Sequence, residues 1–559
     1  MEQARPRKRR VLRKLILLLV LAGIAAWVCV RLFGTPGLPA HAILVLRVGD
    51  ALPIAPADGF EALLFGQRGP ALPALHTALA RGARDARVEG VFLDLRDGSL
   101  GLADARELRR LLIEFRKERK PVIAYADDMS LRAWYVASAC DKVVMNPAGY
   151  LQLTGTSLRV LLFGDLLKRL KLKADLERVG RYKTAFETMT DNKLSPPSRE
   201  ALQRISDAVW EQLIGELAEG RSIEREALEE LIDQGPLPAR AAEEKKLVDA
   251  LKWRDELDAY VKGAVGAPAE LVSFERYAAG SGRGAAIARI AYLPLAGTIL
   301  AGGEGRGLIA ADAVVAQLGA LRDDPSIAAI VVRVDSPGGD AIASASLYRA
   351  IRSARLKKPV VVSMGAAAAS GGYYLAAAAD YIVAQPFTLT GSVGIFGGKI
   401  VADELLAWAE ISQETFRHGA FAGLYDPFEP LNDTTRAAVR RELEDMYERF
   451  VRDVAEGRNL PVEAVEAVAG GRVWTGDDAC RHKLVDALGG LDTALAKAKE
   501  LARIEGDAAL ILWPPAKAWY EQLVAAERDP DGLGRLRALK RALCAGRPLA
   551  LLPFGMSWD

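Results

Sequence analysis

The sequence predicts an α/β protein made of two copies of one domain behind a single N-terminal membrane anchor. Three observations predict it. An unbroken apolar run follows a basic tail, segments recur at a fixed offset near 239 residues, and each copy alternates short β-branched runs with amphipathic helical stretches. The chain has 559 residues, half of them hydrophobic and 26% charged, which is a globular composition with material for a large core.

The anchor comes first. Residues 15–30 read LILLLVLAGIAAWVCV, followed by Arg31, Leu32 and Phe33. As a helix, sixteen residues rise roughly 24 Å, a little short of a hydrocarbon layer of about 30 Å. Arg31 can snorkel, so the span extends to residue 33. A cleavable signal peptide needs small residues at its cleavage site, but Trp27, Val28, Arg31 and Phe33 occupy that zone. A lipoprotein site needs small residues before its cysteine, and Cys29 follows Trp27 and Val28. The segment therefore reads as an uncleaved anchor. Residues 1–14 hold seven Arg or Lys and one acid, Glu2, for a net +6, and the whole chain carries +2, which leaves −4 for the other 545 residues. The tail stays cytoplasmic by the positive-inside rule, with the body on the far side. The body offers no bulk positive charge for nucleic acid. No later segment is long enough to span, so one crossing is expected.

The duplication comes next. DARVEGVFLDLRDG at 85–98 matches DPSIAAIVVRVDSP at 324–337, and CDKVVMNP at 140–147 matches ADYIVAQP at 379–386, both at offset 239. KLVDAL occurs identically at 246–251 and 483–488, offset 237. The expected organisation is two halves, 42–262 and 285–503, a linker at 263–284, and an extension at 504–559 that sequence patterns leave unplaced. Within the second half AIARIAYLPL, AAIVVRVD and PVVVSMG read as buried strands, with the helical ASASLYRAIRSARLKK between them. The first half repeats this with GVFLDLRDG, ARELRRLLIEFRKERK and PVIAYAD. Such alternation implies parallel sheets with helical cover. Residues 198–219 and 432–460 read as longer amphipathic helices.

Four His and four Cys, with no C-x-x-C or H-E-x-x-H pattern, give a zinc site no support, and the nearby Cys480 and His482 read as incidental. Catalysis is expected to work without histidine. In VRVDSPGGD, at 332–340, a strand runs into Gly338 and Gly339, which can take positive φ and present N–H groups. In VVVSMGAAAASGGYYLAAAAD, at 360–380, a strand is expected to end at Ser363, with a small-residue turn and a helix starting near Ser370. A serine there can be an acyl-transfer nucleophile, or simply a helix cap with glycine turns around it. It is not a G-x-S-x-G elbow, since Ala368 stands at the first Gly. At offset 239, Gly338 and Gly339 correspond to Ser99 and Leu100, and Ser370 to Leu131, with Ser130 one residue away. The first copy is thus expected to keep the scaffold and to lack the Gly-Gly pair and the serine, unless a local gap aligns Ser130. A purely structural cap would more often survive in both copies.

DSPGGD, SMGAAAASGGYYLA and LTGSVGIFG at 389–397 resemble the membrane-anchored signal peptide peptidase A family (protease IV) in its long, duplicated form. The resemblance runs from the anchor to about residue 503. It implies a crotonase/ClpP-like fold in each half and a Ser-Lys dyad with Ser370 as nucleophile. In single-domain relatives the lysine follows the serine within one copy. Here the corresponding segment, HGAFAGLYD at 418–426, has no lysine. The first-half counterpart, VGRYKTAFE at 179–187, pairs Gly180 with Gly419 and sets Lys183 opposite Ala422. One copy has the lysine and the other the serine, which fits one composite site. A free lysine has a pKa near ~10.4, so only about one in ~10³ is neutral at pH 7. Lys183 can serve as base only if burial or a neighbouring cation such as Arg181 lowers it, with Tyr182 and Phe186 as candidate dry walls. The resemblance makes Ser392 the hydroxyl that orients the lysine; otherwise it is a turn serine. Backbone N–H groups of Gly339 and Gly371, with Gly338 as a third candidate, would form the oxyanion hole.

No metal, nucleotide or other cofactor is implied. The resemblance also implies cleaved signal peptides as substrates, a bacterial inner membrane location with a periplasmic body, and a homotetramer. Whether Lys183 meets Ser370 of its own chain or of a neighbour stays open. The rival readings are a crotonase-type acyl-CoA hydrolase or hydratase, and a non-catalytic membrane scaffold.

Overall fold

The computed structural model describes residues 38–56 and 69–515, apart from positions 97, 99, 267, 281–287, 304 and 306, together with Gly23, 549–551 and 557–558. The basic tail lies outside the described residues, as does all of the anchor 15–33 except Gly23. Among the described residues no helix is long and apolar enough to cross a membrane.

Each half is built on a six-stranded parallel path. In the first, the order across the sheet is Ala250–Leu251, Lys142–Met145, Val122–Ala126, Val88–Asp94, Ala42–Arg47 and Glu270–Ser273. In the second, it is Ala487–Leu488, Tyr381–Ala384, Val360–Ala369, Ala329–Ser336, Ala288–Ala296 and Ala508–Leu512. The order is the same in both, and every neighbour along each path is parallel. The apolar, β-branched runs are the strands covered on both faces, as a parallel sheet requires. The repeat extends to the backbone. Lys246 and Lys483, the first residues of the two KLVDAL segments, take φ of 60° and 59°. The long helices Pro196–Arg221 and Asp433–Arg458 start at capping side chains, Ser195 and Asn432, and end at left-handed residues, Ser222 and Asn459.

The halves share a core. Tyr292, Val331, Val361 and Val383 of the second sheet join the apolar cluster that holds Leu44, Leu108, Trp134 and Leu213 of the first half. A buried charge crosses the same joint. Glu107, on the first-half helix Leu102–Arg116, faces Arg333 at 3.4 Å and accepts from the N–H of Leu491 at 2.7 Å, where the helix Leu491–Leu501 begins.

A third sheet bears Gly338 and Gly339 and borders the loops that hold Lys183 and Ser392. Its order is Leu308–Ala310, Thr298–Leu300, Gly338–Asp340, Leu549–Leu551, Ile395–Val401 and Lys173–Val179. The last of these comes from the first half and pairs antiparallel with Ile395–Val401, Val179 opposite Ile395 and Lys173 opposite Val401. The structure departs from one expectation here. The strand that begins at Val360 does not end at Ser363 but runs to Ala369, because Ala367, Ala368 and Ala369 pair with the strand Leu389–Gly391. Ala368 and Ala369 are fully buried there, while Ala366 is exposed and Ala367 half-buried.

Candidate active site

Ser370 stands between the strand Val360–Ala369 and the helix Gly371–Ala376. Its φ of 54° and ψ of −115° lie outside the regions open to a non-glycine residue, a cost of order 1–3 kcal/mol. Its N–H is held by the carbonyl of Gly391 at 2.8 Å, and its side chain makes no cap bond to the helix it precedes. The first-half counterpart behaves differently. Ser130 occupies the same position before the helix Leu131–Ala137, with φ −65°, and its Oγ accepts from the N–H of Ala133 at 3.2 Å. A serine therefore survives in both copies, shifted by a one-residue gap. In the first it is an ordinary cap; in the second the strained backbone turns the hydroxyl away from capping.

The strand Lys173–Val179 delivers the loop with Lys183 to that hydroxyl. Lys183 Nζ lies 2.6 Å from Ser370 Oγ, 3.0 Å from Ser392 Oγ and 3.2 Å from the Ser392 carbonyl oxygen. All three residues are fully buried, and both partners belong to one chain. Burial alone holds the Lys183 amine well below its ordinary value. The expected help from Arg181 is absent: its side chain is largely exposed and turned toward Glu200 at 4.0 Å. Tyr182 is likewise no dry wall for the amine, since its hydroxyl bonds Glu200, while Phe186 packs beside Phe396. Ser392 is itself held left-handed, φ 53°, with its N–H on the carbonyl of Arg472 at 2.7 Å.

The glycines of DSPGGD adjoin the serine. Gly338 takes φ 102°, and a Cβ on Gly371 would lie 3.2 Å from Gly339 N and 3.3 Å from Gly338 Cα. The N–H of Gly338 is donated to Ser336 Oγ at 3.1 Å. Gly338, the third candidate, thus already has an acceptor within its own turn, and Gly339 pairs with Ile299 in the sheet.

One contributor escaped the reading of the sequence. The segment Gly470–Arg472 passes between the lysine loop and the serine loops. The Gly470 carbonyl accepts from Tyr182 N–H at 2.7 Å, and Gly471 N–H donates to the Val393 carbonyl at 2.7 Å. A Cβ on Gly471 would fall within 2.6 Å of the N, Cα and Cβ of Lys183. A signal existed. At the KLVDAL offset of 237, Gly470 and Gly471 replace Asp233 and Gln234, the same kind of asymmetry that marks Gly338 and Gly339. Gly471→Ala should lower kcat/KM about 100-fold by displacing the lysine. Gly470→Ala provides the control, since it shares the positive φ, 65°, but its Cβ would meet nothing closer than 3.8 Å. Equal losses in the two variants would assign the effect to backbone strain instead.

The arrangement is an isolated buried amine against a strained serine hydroxyl, with backbone donors beside it. Such a pair can run acyl transfer without histidine. Comparison with known proteins bears on which acyl transfer this is. The family model described as Peptidase family S49 matches residues 114–266 and again 352–505, and the model described as Clp protease matches residues 296–386. The two S49 matches are displaced by 238 residues at their starts and 239 at their ends, the period of the internal repeat. The chain is 30% identical over 450 residues to the chloroplastic serine protease SPPA of Arabidopsis thaliana, covering 78% of this chain and 66% of that protein. It is 31% identical over 523 residues to Protease 4 of Salmonella typhi, covering 89% and 84% respectively. It is 30% identical over 453 residues to Protease 4 of Haemophilus influenzae, covering 78% and 73%.

Proposed function

The chain belongs to peptidase family S49 and is a serine protease, and on that premise we propose that Ser370 is its nucleophile and Lys183 its general base. The observation that carries this reading is the 2.6 Å approach of Nζ to Oγ, with both groups fully buried and the amine lowered by that burial. A neutral amine has two N–H bonds and one lone pair. The Ser392 carbonyl oxygen can only accept, and Ser392 Oγ can accept as well, so these two take the N–H bonds and the lone pair faces Ser370 Oγ. Lys183 then takes the Ser370 proton as Oγ attacks the peptide carbonyl, and the N–H groups of Gly339 and Gly371 stabilise the oxyanion. The resulting lysinium protonates the leaving amine. Water, deprotonated by the regenerated neutral Lys183, then cleaves the acyl ester and frees Ser370.

The substrates in this reading are cleaved signal peptides, hydrolysed beside the bacterial inner membrane by a periplasmic body that residues 15–33 anchor. The apolar run after a +6 tail supports the anchor and its orientation. The reading includes a homo-oligomer, a tetramer by the family resemblance. Supporting it, the repeat carries the pairing of 173–179 with 395–401 onto residues 412–418 and 156–162. In the single chain those segments do not pair with each other, and Phe416, Leu161 and Phe163 are exposed on or beside them. Leu158–Arg159 pairs with Ser557–Trp558 instead, and a second copy could supply a partner for 412–418.

Covalent labelling by a fluorophosphonate tests the dyad. The label should fall on Ser370. Its rate should rise with pH and level off well below the ordinary lysine pKa of about 10.4, because only neutral Lys183 activates the serine. A rate that climbs through the ordinary lysine value, or a label on another residue, would overturn the assignment.

A further inference from the structure

We propose that the chain's own C-terminal strand, Leu549–Leu551, is a tethered peptide ligand of the substrate groove, so that it competes with substrate for the site. The inference rests on the reading of Ser370 as the nucleophile. Leu549–Leu551 forms an antiparallel strand along Gly338–Asp340, with Ala550 opposite Gly339 and Leu551 opposite Gly338. On its other side Leu549 lies opposite Phe396, again antiparallel. The segment therefore fills the slot between the strand that bears the candidate oxyanion glycines and the strand that leads away from Ser392. An extended substrate would add there by main-chain pairing, as peptides do at open sheet edges.

Three further observations point the same way. Ser370, Lys183 and Ser392 have no exposed surface, so a substrate carbonyl can meet Oγ only after something leaves. Among the described residues, Leu549–Leu551 is the strand that runs beside the glycines on their otherwise open edge; the other edge is closed by the Ile299–Gly339 pairing. Next, the tail is gripped twice at repeat-equivalent places. Ser557–Trp558 pairs antiparallel with Leu158–Arg159, and these, at offset 239, correspond to Gly397 and Gly398 of the strand beside Leu549. The extension thus treats both copies as the same kind of docking edge, one with the serine and one without. Last, the occupying residues are Leu549, Ala550 and Leu551, in a sequence that runs Leu-Ala-Leu-Leu between Pro548 and Pro553. That is an extended, apolar, uncharged peptide, the composition of the apolar core of a signal peptide. The groove's ligand class is accordingly an apolar extended strand.

An intramolecular competitor raises the apparent KM and leaves kcat unchanged, because every molecule that binds substrate has already released the tail. The experiment uses the full chain and two variants. One stops after Pro548. The other keeps the full length with Ala550→Pro, which removes an N–H and cannot sit in a strand paired on both sides. Both variants should lower KM for a short peptide ester by about tenfold with kcat unchanged. A synthetic peptide of residues 547–559 should restore the higher KM competitively. An unchanged KM in both variants, or a fall in kcat with KM constant, overturns the proposal. A second readout does not need turnover. In a Ser370→Ala background, the fluorescein-labelled 547–559 peptide should bind the truncated chain more tightly than the full-length one. Equal binding overturns the tether even if hydrolysis is seen. Tighter binding by the truncated chain with no hydrolysis by any Ser370-bearing form would uphold the tether and count against the peptidase reading.

Discussion

Ser370→Ala and Lys183→Met should each lower kcat/KM on a peptide ester by about 10⁴-fold or more, as removal of a nucleophile or its base does in other serine peptidases. The two differ in what they do to stability. Alanine at 370 removes a hydroxyl but keeps the strained φ of 54°, so its effect on unfolding should be small. Methionine at 183 removes a buried amine. The Lys183 pKa is lowered on folding, so between its folded value and the unfolded value near ~10.4 the unfolded chain binds the extra proton. Wild-type stability therefore rises with pH across that window and carries a constant penalty below it. In Lys183→Met this rise should vanish, leaving the variant favoured at low pH and level with wild type, or slightly behind it, at the alkaline end, where only the hydrogen bonds with Ser370 and Ser392 are missed. Thermal unfolding of both proteins across that range reads the difference. Parallel pH profiles would mean that the amine is not buried as described, and retained hydrolysis by either variant would remove the dyad.

Glu107→Ala should destabilise the protein by about 3–5 kcal/mol, the usual cost of stripping one partner from a buried ion pair. Arg333 and Glu107 are both essentially without exposure, and Arg333 also donates to Ser363 Oγ at 2.8 Å. Glu107 meets three second-half groups: Arg333, the Leu491 N–H and the Gln385 side-chain amide. Alanine would leave a buried guanidinium without its counter-charge and a helix start without its carboxylate. Glu107→Gln keeps the shape and one acceptor oxygen, so it should lose less. Denaturant unfolding of the three proteins measures this. A loss under about 1 kcal/mol for alanine would mean that water or another acid takes over. The joint is distant in sequence from Ser370, yet it sets how the lysine-bearing half meets the serine-bearing half, so activity in Glu107→Ala should fall with stability.

Much of the architecture was legible because it rests on local pattern. Strands covered on both faces must be continuous apolar runs, and 329–336 and 360–363 read that way from composition alone. The offset between identical hexamers marks the duplication without any structure. Lys183 could be singled out because the second copy has Ala422 at the matching place, and Ser370 because the offset of 239 sets Leu131 opposite it, although the fold aligns it with Ser130 through a one-residue gap. What stayed illegible depends on neighbours remote in sequence. The alanines 366–369 look like a turn, since nothing local says that Leu389–Gly391 will pair with them. From the sequence Arg181 could tune the lysine or point to solvent, and only the packing decides for solvent. Gly471 is one glycine among 51 until the fold sets it against the Lys183 backbone.

By itself the sequence determined the α/β class, the twofold repeat, the charge asymmetry of the tail and the two residues worth testing, since these follow from periodicity, composition and register along one chain. The tertiary structure alone decided that a first-half strand pairs with a second-half strand and carries Lys183 to within 2.6 Å of Ser370 in the same chain. It alone decided that the amine is lowered by burial, that one serine caps a helix while its counterpart is strained away from capping, and that Leu549–Leu551 pairs with the glycines of the site. The physical reason is common to all four. Desolvation, strain and strand pairing are properties of what surrounds a residue, and those surroundings come from segments some 200 residues away.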